Sequence, residues 1–452
     1  MGSDLFRVGC GAGFSGDRID AALPVVRTLI ERGGPACLIY ETLAERTLAI
    51  AQLRRGQDPE AGFEPRLAAF LRPVLALCLA HGITIVGNFG AANPAAAARC
   101  IAALADELGL AQPRIAVIGG DDLSGPQHRG WLAEAIGREQ VSATLVSANA
   151  YLGAVHITEA IQAGAQVVVA GRVVDSALVL GPAAAHFGWS YEDWDRLARA
   201  TMAGHLLECG AQLTGGYFAD PGYKEVPGLA RIGFPIAEID ADGHCTVTKA
   251  DDTGGRVDAA TVTEQLLYEI QDPAAYMTPD VVADITGAWL ETVGADRVAL
   301  RGVIGHPRPL RLKVNVCYEG GWLAEGEISY AGPGAEARAR LAARVLAERL
   351  AGQRLRFDLI GSLSLFADDD GRLLAATPDT GGEDVRLRVA ASDADRPRAE
   401  ALLQEVDSLY TCGPAGGGGV RMAVRPRLQT MSCLVARERV ESGWRWADGG
   451  RR

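Results

Sequence analysis

The sequence predicts an α/β protein in which an N-terminal parallel sheet flanked by helices is followed by an α+β two-layer sandwich domain. Three observations lead there. Through the first half, short β-branched runs ending in glycine or polar clusters alternate with helix-period segments, the sequence form of βαβ units. Beyond about residue 230 the rhythm changes to hairpin-like strand pairs followed by two long helices. The length of 452 residues exceeds what one ordinary core organises, so two domains are expected, residues 1–230 and 231–452.

Six strands are read in the first half: Leu5–Cys10, Ala36–Tyr40, Ile83–Gly87, Arg114–Ile118, Thr144–Ser147 and Gln166–Ala170. Their near-continuous apolar character suits a parallel sheet buried on both faces. The first helix places Ile19, Leu23, Val26 and Ile30 on one face before Gly33, with Pro24 in an early turn. Asn93 followed by Pro94 reads as an N-cap and N1 pair, and Gly109 as the residue closing that helix. In the second half Leu312–Tyr318 and Gly326–Tyr330 read as a hairpin around Glu-Gly-Gly. Helices Ala335–Leu350 and Arg396–Tyr410 alternate with strands near Phe357–Phe366, Val385–Ala390 and on to Arg437.

Composition narrows the function. The 44 basic and 56 acidic residues leave a net charge of −12, and no Lys/Arg stripe offers the phosphate neutralisation that nucleic acid needs. The nine cysteines have no repeated spacing and sit mostly in apolar runs, as Cys37, Cys78 and Cys317 do, so they read as free thiols. The chain enters a strand at once, without a signal-peptide core, and Arg72, Pro73 and His81 break its most apolar stretch. A cytoplasmic protein without membrane contact is expected, binding a small molecule and assembling as a homo-oligomer.

Three constellations can carry chemistry. Gly11-Ala-Gly13-Phe-Ser15-Gly16-Asp17-Arg18 follows a strand, and Gly11, Gly13 and Gly16 match the dinucleotide-binding spacing, with Glu41 ending the next strand. Asp17 there would repel a pyrophosphate, so NAD(P) is not the expected cofactor; the alternative is a tight turn capped by Ser15 or Asp17. The other strand ends supply Glu45, Asn88, Asn93, Asp121, Asp122, Asn149, Tyr151, Arg172 and Asp175. Each alone reads as a cap or a solvated loop residue, but jointly they outline a polar crevice that can move protons or hold Mg²⁺. His205, Glu208 and Cys209 share a helix face, offering a thiol beside an imidazole, against the plainer reading of small packing residues. The glycine-broken loop that follows carries Tyr217 and Lys224 and can close over a ligand. Asp17, Glu41, Asp121, His205 and Cys209 are the candidate catalytic groups. Ser15, Arg18, Asn88, Asn93, Arg172, Asp175, Tyr217 and Lys224 are the candidate substrate contacts.

Long collinear stretches, such as Val-Ala-Gly-Arg172-Val-Val-Asp175-Ser-Ala and Ala-Gly-His205-Leu-Leu-Glu208-Cys209-Gly-Ala-Gln, resemble the acyclic terpene utilisation family typified by AtuA. The resemblance implies a place in catabolism of acyclic terpenoids or other branched acids, with a CoA thioester as the expected substrate form. It transfers no established catalytic residue. A hydratase or lyase on a branched acyl-CoA or acid is expected; a non-catalytic acyl-CoA-binding or assembly subunit and an NAD(P)-dependent oxidoreductase are the alternatives. Some relatives carry, or are encoded beside, a small ferredoxin-like domain. The second-half sandwich is not expected to be that module, which leaves a separate small ferredoxin-like partner protein as the expectation.

Overall fold

The structure, a computed structural model, describes residues 5–137, 145–366 and 371–447. It is a mixed α/β protein. The chain divides into one compact unit running to Cys317 and resuming at Thr430, and a second comprising Tyr318–Gln429.

The first unit is built on β1 (Phe6–Ala12), β2 (Ala36–Tyr40), β3 (Thr84–Gly87), β4 (Ile115–Gly119), β5 (Leu145–Ala150) and β6 (Val167–Val169). Five of these six lie side by side in parallel, in the order β1-β2-β3-β6-β4. Val8, Cys10, Leu38, Ile39, Ile85, Val86, Val167 and Val168 are wholly buried, as strands covered on both faces require. The fifth expected strand departs from this plan. β5 pairs outside this sheet with β14 (Arg311–Ala331), and the Tyr151 amide donates to the Lys313 carbonyl. Thr144, its expected first residue, lies outside the described residues.

The sheet is mixed, not purely parallel. β7 (Pro235–Ile239) pairs antiparallel with β1, and β8 (Cys245–Lys249) extends it. β9 (Tyr276–Met277), β10 (Val282–Asp284) and β13 (Ile304–His306) form a small separate sheet. β11 (Trp289–Gly294) and β12 (Arg297–Arg301) close one edge of the large sheet. The boundary expected near residue 230 falls inside the first unit, because β7 pairs with β1 and carries β8 and β12 into the same sheet.

In the second unit the Glu319-Gly320-Gly321 segment makes no hairpin; β14 runs through it as one strand. Gly321 has φ +82° and lies so near the Asp393 carbonyl that a Cβ would sit 2.4 Å from it, so the glycine serves a close strand approach instead of a turn. With β15 (Leu355–Ile360), β16 (Asp384–Asp393) and β17 (Gly418–Ala436) the order is β15-β16-β14-β17, and β16 is antiparallel to both neighbours. Helices Ala335–Arg349 and Arg396–Cys412 pack on this sheet and on each other through Leu346, Leu402 and Val406. A β-α-β-β-α-β chain order with this strand order is the split βαβ, ferredoxin-like topology. The sandwich expected to be something else thus has that arrangement within this chain. On the face opposite these helices Asp358 lies 2.9 Å from Arg356 and 2.5 Å from Arg388, and Arg388 also pairs with Glu325.

Finally β18 (Gly443–Trp446), in the first unit, pairs antiparallel with β4 at the other edge of the large sheet.

Candidate functional site

A crevice of about 630 Å³ opens beyond the carboxyl ends of β2 and β6, walled also by the end of the helix Trp194–Glu208. Glu41 leaves β2 with Oε1 accepting from Asn88 Nδ2 and from the Leu43 amide, each at 2.8 Å. Asn88 is completely buried and turns its Oδ1 to the Thr42 amide, so it positions Glu41 without reaching the crevice itself. Burial and the neighbouring Asp175 charge raise the Glu41 carboxyl to about 8, opposed by Arg172 and these hydrogen bonds.

Arg172 is buried and fully committed. Its Nε donates to the Val173 carbonyl at 2.8 Å, Nη1 to the Leu43 carbonyl and Nη2 to Asp175, and the guanidinium lies 4.5 Å from the centre of the Tyr151 ring. The arginine expected as a substrate contact instead ties two crevice loops together. Burial raises Asp175, with Arg172 opposing. Burial would also raise Glu45, but a hydrogen bond from Tyr151 and the Lys313 ammonium at 3.1 Å hold it down to about 2.

The helix trio resolves into a pair and a bystander. His205 Nδ1 lies 3.0 Å from Glu208 Oε1, and Nε2 lies 3.2 Å from the Leu266 carbonyl. A carbonyl only accepts, so Nε2 carries its proton and a second proton is shared between Nδ1 and Glu208. Burial lowers and Glu208 raises the imidazole, with a net rise, while burial, against His205, raises Glu208 to about 6. Glu208 Oε2 is buried without a hydrogen-bond partner. Both imidazole nitrogens are spent, so neither activates Cys209. Burial and the Glu208 charge push that thiol up to about 12, the opposite of a thiolate nucleophile.

The glycine loop also departs from expectation. The helix after β1 begins only at Ala22, so Gly16 does not open it. Asp17 Oδ2 accepts from the Gly13 amide at 2.8 Å, placing the chain's own carboxylate where a phosphate would bind. A Cβ on Gly11 would meet the Tyr40 ring at 2.7 Å, one on Gly13 the Gly210 nitrogen at 2.2 Å, and one on Gly16 the Phe14 ring at 2.0 Å. These three glycines serve packing. Asp17 faces the crevice, and burial raises its carboxyl. Ser15 also lines it, donating to Glu64 at 2.6 Å.

Other expected contacts lie elsewhere. Arg18 donates to the carbonyls of Ala230 and Ile232. Asn93 caps the helix Pro94–Glu107, accepting from the Ala96 amide. Asp121 accepts from the Arg172 amide and from Asn149; with Asn93 it lines a separate cavity of about 420 Å³, and burial raises it to about 6. Lys224 pairs with Glu264 and lies over Phe218, whereas Tyr217 stands exposed at the crevice margin with φ 61°. Among the described residues no group of three or more His, Cys, Asp and Glu side chains is arranged to hold a metal ion.

Two charged crevice groups escaped the sequence reading. Lys313 lies on an alternating strand, where a lysine reads as solvent-facing, and Glu269 takes a left-handed conformation, φ 59°, in a loop without a motif. Beside the crevice lies a second cavity of about 450 Å³, walled by Val174, Tyr276, Met277, Pro309, Leu312 and Leu434. Tyr151, Asp175, Glu208, Glu269 and Lys313 border both spaces.

No described helix is long and apolar enough to cross a membrane. No curated protein and no solved structure matches the chain. One family model does, that of the acyclic terpene utilisation family protein AtuA, over residues 6–446. With nearly its whole length matched, the chain belongs to the acyclic terpene utilisation family AtuA.

Proposed function

We propose that this protein is an acid–base enzyme of the hydratase or lyase type, acting on a branched acyl-CoA or related acid in terpenoid or branched-acid catabolism. The observation that carries this reading is the pairing of Glu41 and Glu208 on one crevice, with proton affinities on either side of neutrality. Such a split suits one carboxyl to give a proton at neutral pH while the other takes one from carbon next to a carbonyl. His205, behind Glu208, holds that carboxylate in place and balances its charge. The adjoining apolar cavity suits a hydrocarbon chain, and family membership agrees with that substrate class.

Incubating the protein with a panel of branched acyl-CoA thioesters and following the mass of each for gain or loss of water tests the reading. Glu41→Gln and Glu208→Gln are each expected to lower turnover by at least about 100-fold. Tight binding without turnover of any panel member would overturn the enzyme reading in favour of a binding or assembly subunit.

A further inference from the structure

We infer that a third cavity, beside the crevice, receives the CoA part of the substrate, with the phosphates held at its rim by Arg54 and Arg66. This rests on the proposed reading of the crevice as an acyl-CoA site, and adds the residues that recognise the carrier and the direction in which the thioester lies.

The third cavity, of about 360 Å³, shares Phe14, Ser15, Thr42 and Thr47 with the crevice and no residue with the apolar cavity. The crevice, which meets the apolar cavity at Tyr151, Asp175, Glu208, Glu269 and Lys313, therefore lies between the two. One wall of the third cavity is a face of the helix Glu45–Gln57, where Thr47, Ile50, Ala51 and Arg54 recur at helical spacing. Its volume suits the slender pantetheine arm and leaves the phosphates at the rim, where Arg54 is exposed.

Charge sets the two ends apart. Asp175, Glu208 and Glu269 border the apolar cavity; of its cations His205 and Lys313 are matched to carboxylates, leaving Arg311. Arg54 and Arg66 line the third cavity against a single carboxylate, Glu64, 3.7 Å from Arg66. Glu64 is itself engaged, accepting from the Arg66 amide at 3.0 Å and from Ser15 at 2.6 Å. Arg54 makes no ion pair or side-chain hydrogen bond among the described residues. Arg66 gives Nη1 to the Asp17 carbonyl at 3.0 Å, and its buried Nη2 has no acceptor. A guanidinium keeps its charge and all its donors, so an unmet one is satisfied by an acceptor oxygen such as that of a phosphate. A group carrying several negative charges settles at this end, and the hydrocarbon at the other, between Val174, Leu312 and Leu434.

The test is isothermal titration of the full-length protein with CoA and with pantetheine, which has the arm and the thiol but no phosphate. CoA is expected to bind at least about tenfold more tightly, an advantage that shrinks as salt is added. Arg54→Gln, at an exposed position whose exchange leaves the fold intact, is expected to weaken CoA at least about fivefold and leave pantetheine unchanged, and Arg54→Glu to weaken CoA further. Arg311→Gln is expected to cost CoA less than Arg54→Gln does. Pantetheine binding as tightly as CoA, failure of CoA to bind, indifference of CoA to Arg54→Gln, or a larger loss with Arg311→Gln would each overturn the inference. CoA binding in the expected pattern without turnover of any acyl-CoA would sink the enzyme reading and leave the inference standing. Turnover with a KM unmoved by Arg54→Gln would do the reverse.

Discussion

Replacing Gly13 by alanine perturbs the point where the loop after β1 touches the end of the helix that carries Glu208. Gly13 is not in the left-handed region, so the substitution carries no backbone strain and its cost is steric. The new Cβ would lie 2.2 Å from the Gly210 nitrogen and 2.4 Å from both the Cys209 carbonyl carbon and the Glu208 oxygen, where ordinary contact begins at 3.4 Å. All three are backbone atoms, so no rotamer change relieves the clash and the segments must part by roughly 1 Å. Overpacking of this kind, with weakening of the Gly13 amide bond to Asp17, costs about 2–4 kcal/mol. Urea unfolding of Gly13→Ala beside Gly188→Ala measures it. Gly188 sits in the left-handed region, φ +68°, with nothing within 4 Å of its added Cβ, so there the cost is conformational only, about 1 kcal/mol. Because the displaced backbone carries Glu208 and Cys209, folded Gly13→Ala should also lose turnover in the acyl-CoA panel. A variant as stable as wild type with unchanged turnover would refute both the packing role of Gly13 and the crevice built on it.

Alkylation at neutral pH should reach the exposed Cys412 well before Cys209, whose thiol is held up to about 12; peptide mapping that finds Cys209 modified first would refute the protonated-thiol assignment. In the second unit, Glu336 is buried and accepts hydrogen bonds from Arg340, Ser362, Thr380 and Gly382. Despite burial, these lower its carboxyl to about 2. Its folded value lies below the unfolded one, so the stabilisation is present above about pH 4.5 and lost as pH falls towards about 2. Glu336→Gln should cost about 2–3 kcal/mol at neutral pH and progressively less on acidification. A gap from wild type that stays constant between neutral and strongly acidic pH would contradict this.

The parts of the fold fixed by local pattern were legible. β1 to β4 and β6 announced themselves as apolar runs, and Asn93-Pro94 marked a real helix start. What stayed hidden depends on contacts remote in sequence. Nothing local distinguishes β5 from its parallel neighbours, and nothing in Pro235–Ile239 shows that it pairs with β1. The site divided similarly. Of the residues placed after strands, Glu41, Tyr151, Arg172 and Asp175 line one crevice, whereas Asp121 and Asn93 line a separate cavity. Residue type alone does not fix a role: Arg172 is expected as a substrate contact, yet its donors are consumed by carbonyls that only the tertiary fold supplies. Helical spacing placed His205 beside Glu208, but the Leu266 carbonyl that occupies the other nitrogen lies 61 residues away.

The late return of the chain to the first unit has a consequence for biosynthesis. Val435 enters the core of that unit, Leu434 and Cys433 complete the wall of the apolar cavity, and β18 covers the edge of β4. Until these residues leave the ribosome, more than three hundred preceding residues of the same unit have been made with β4 still an open edge. Closure of the sheet thus waits for a segment made long after its partner strand, with long loop-closing contacts that form slowly. A nascent chain stalled just after Gln429 should engage a holdase chaperone through that bare edge and release it once Gly443–Trp446 emerges.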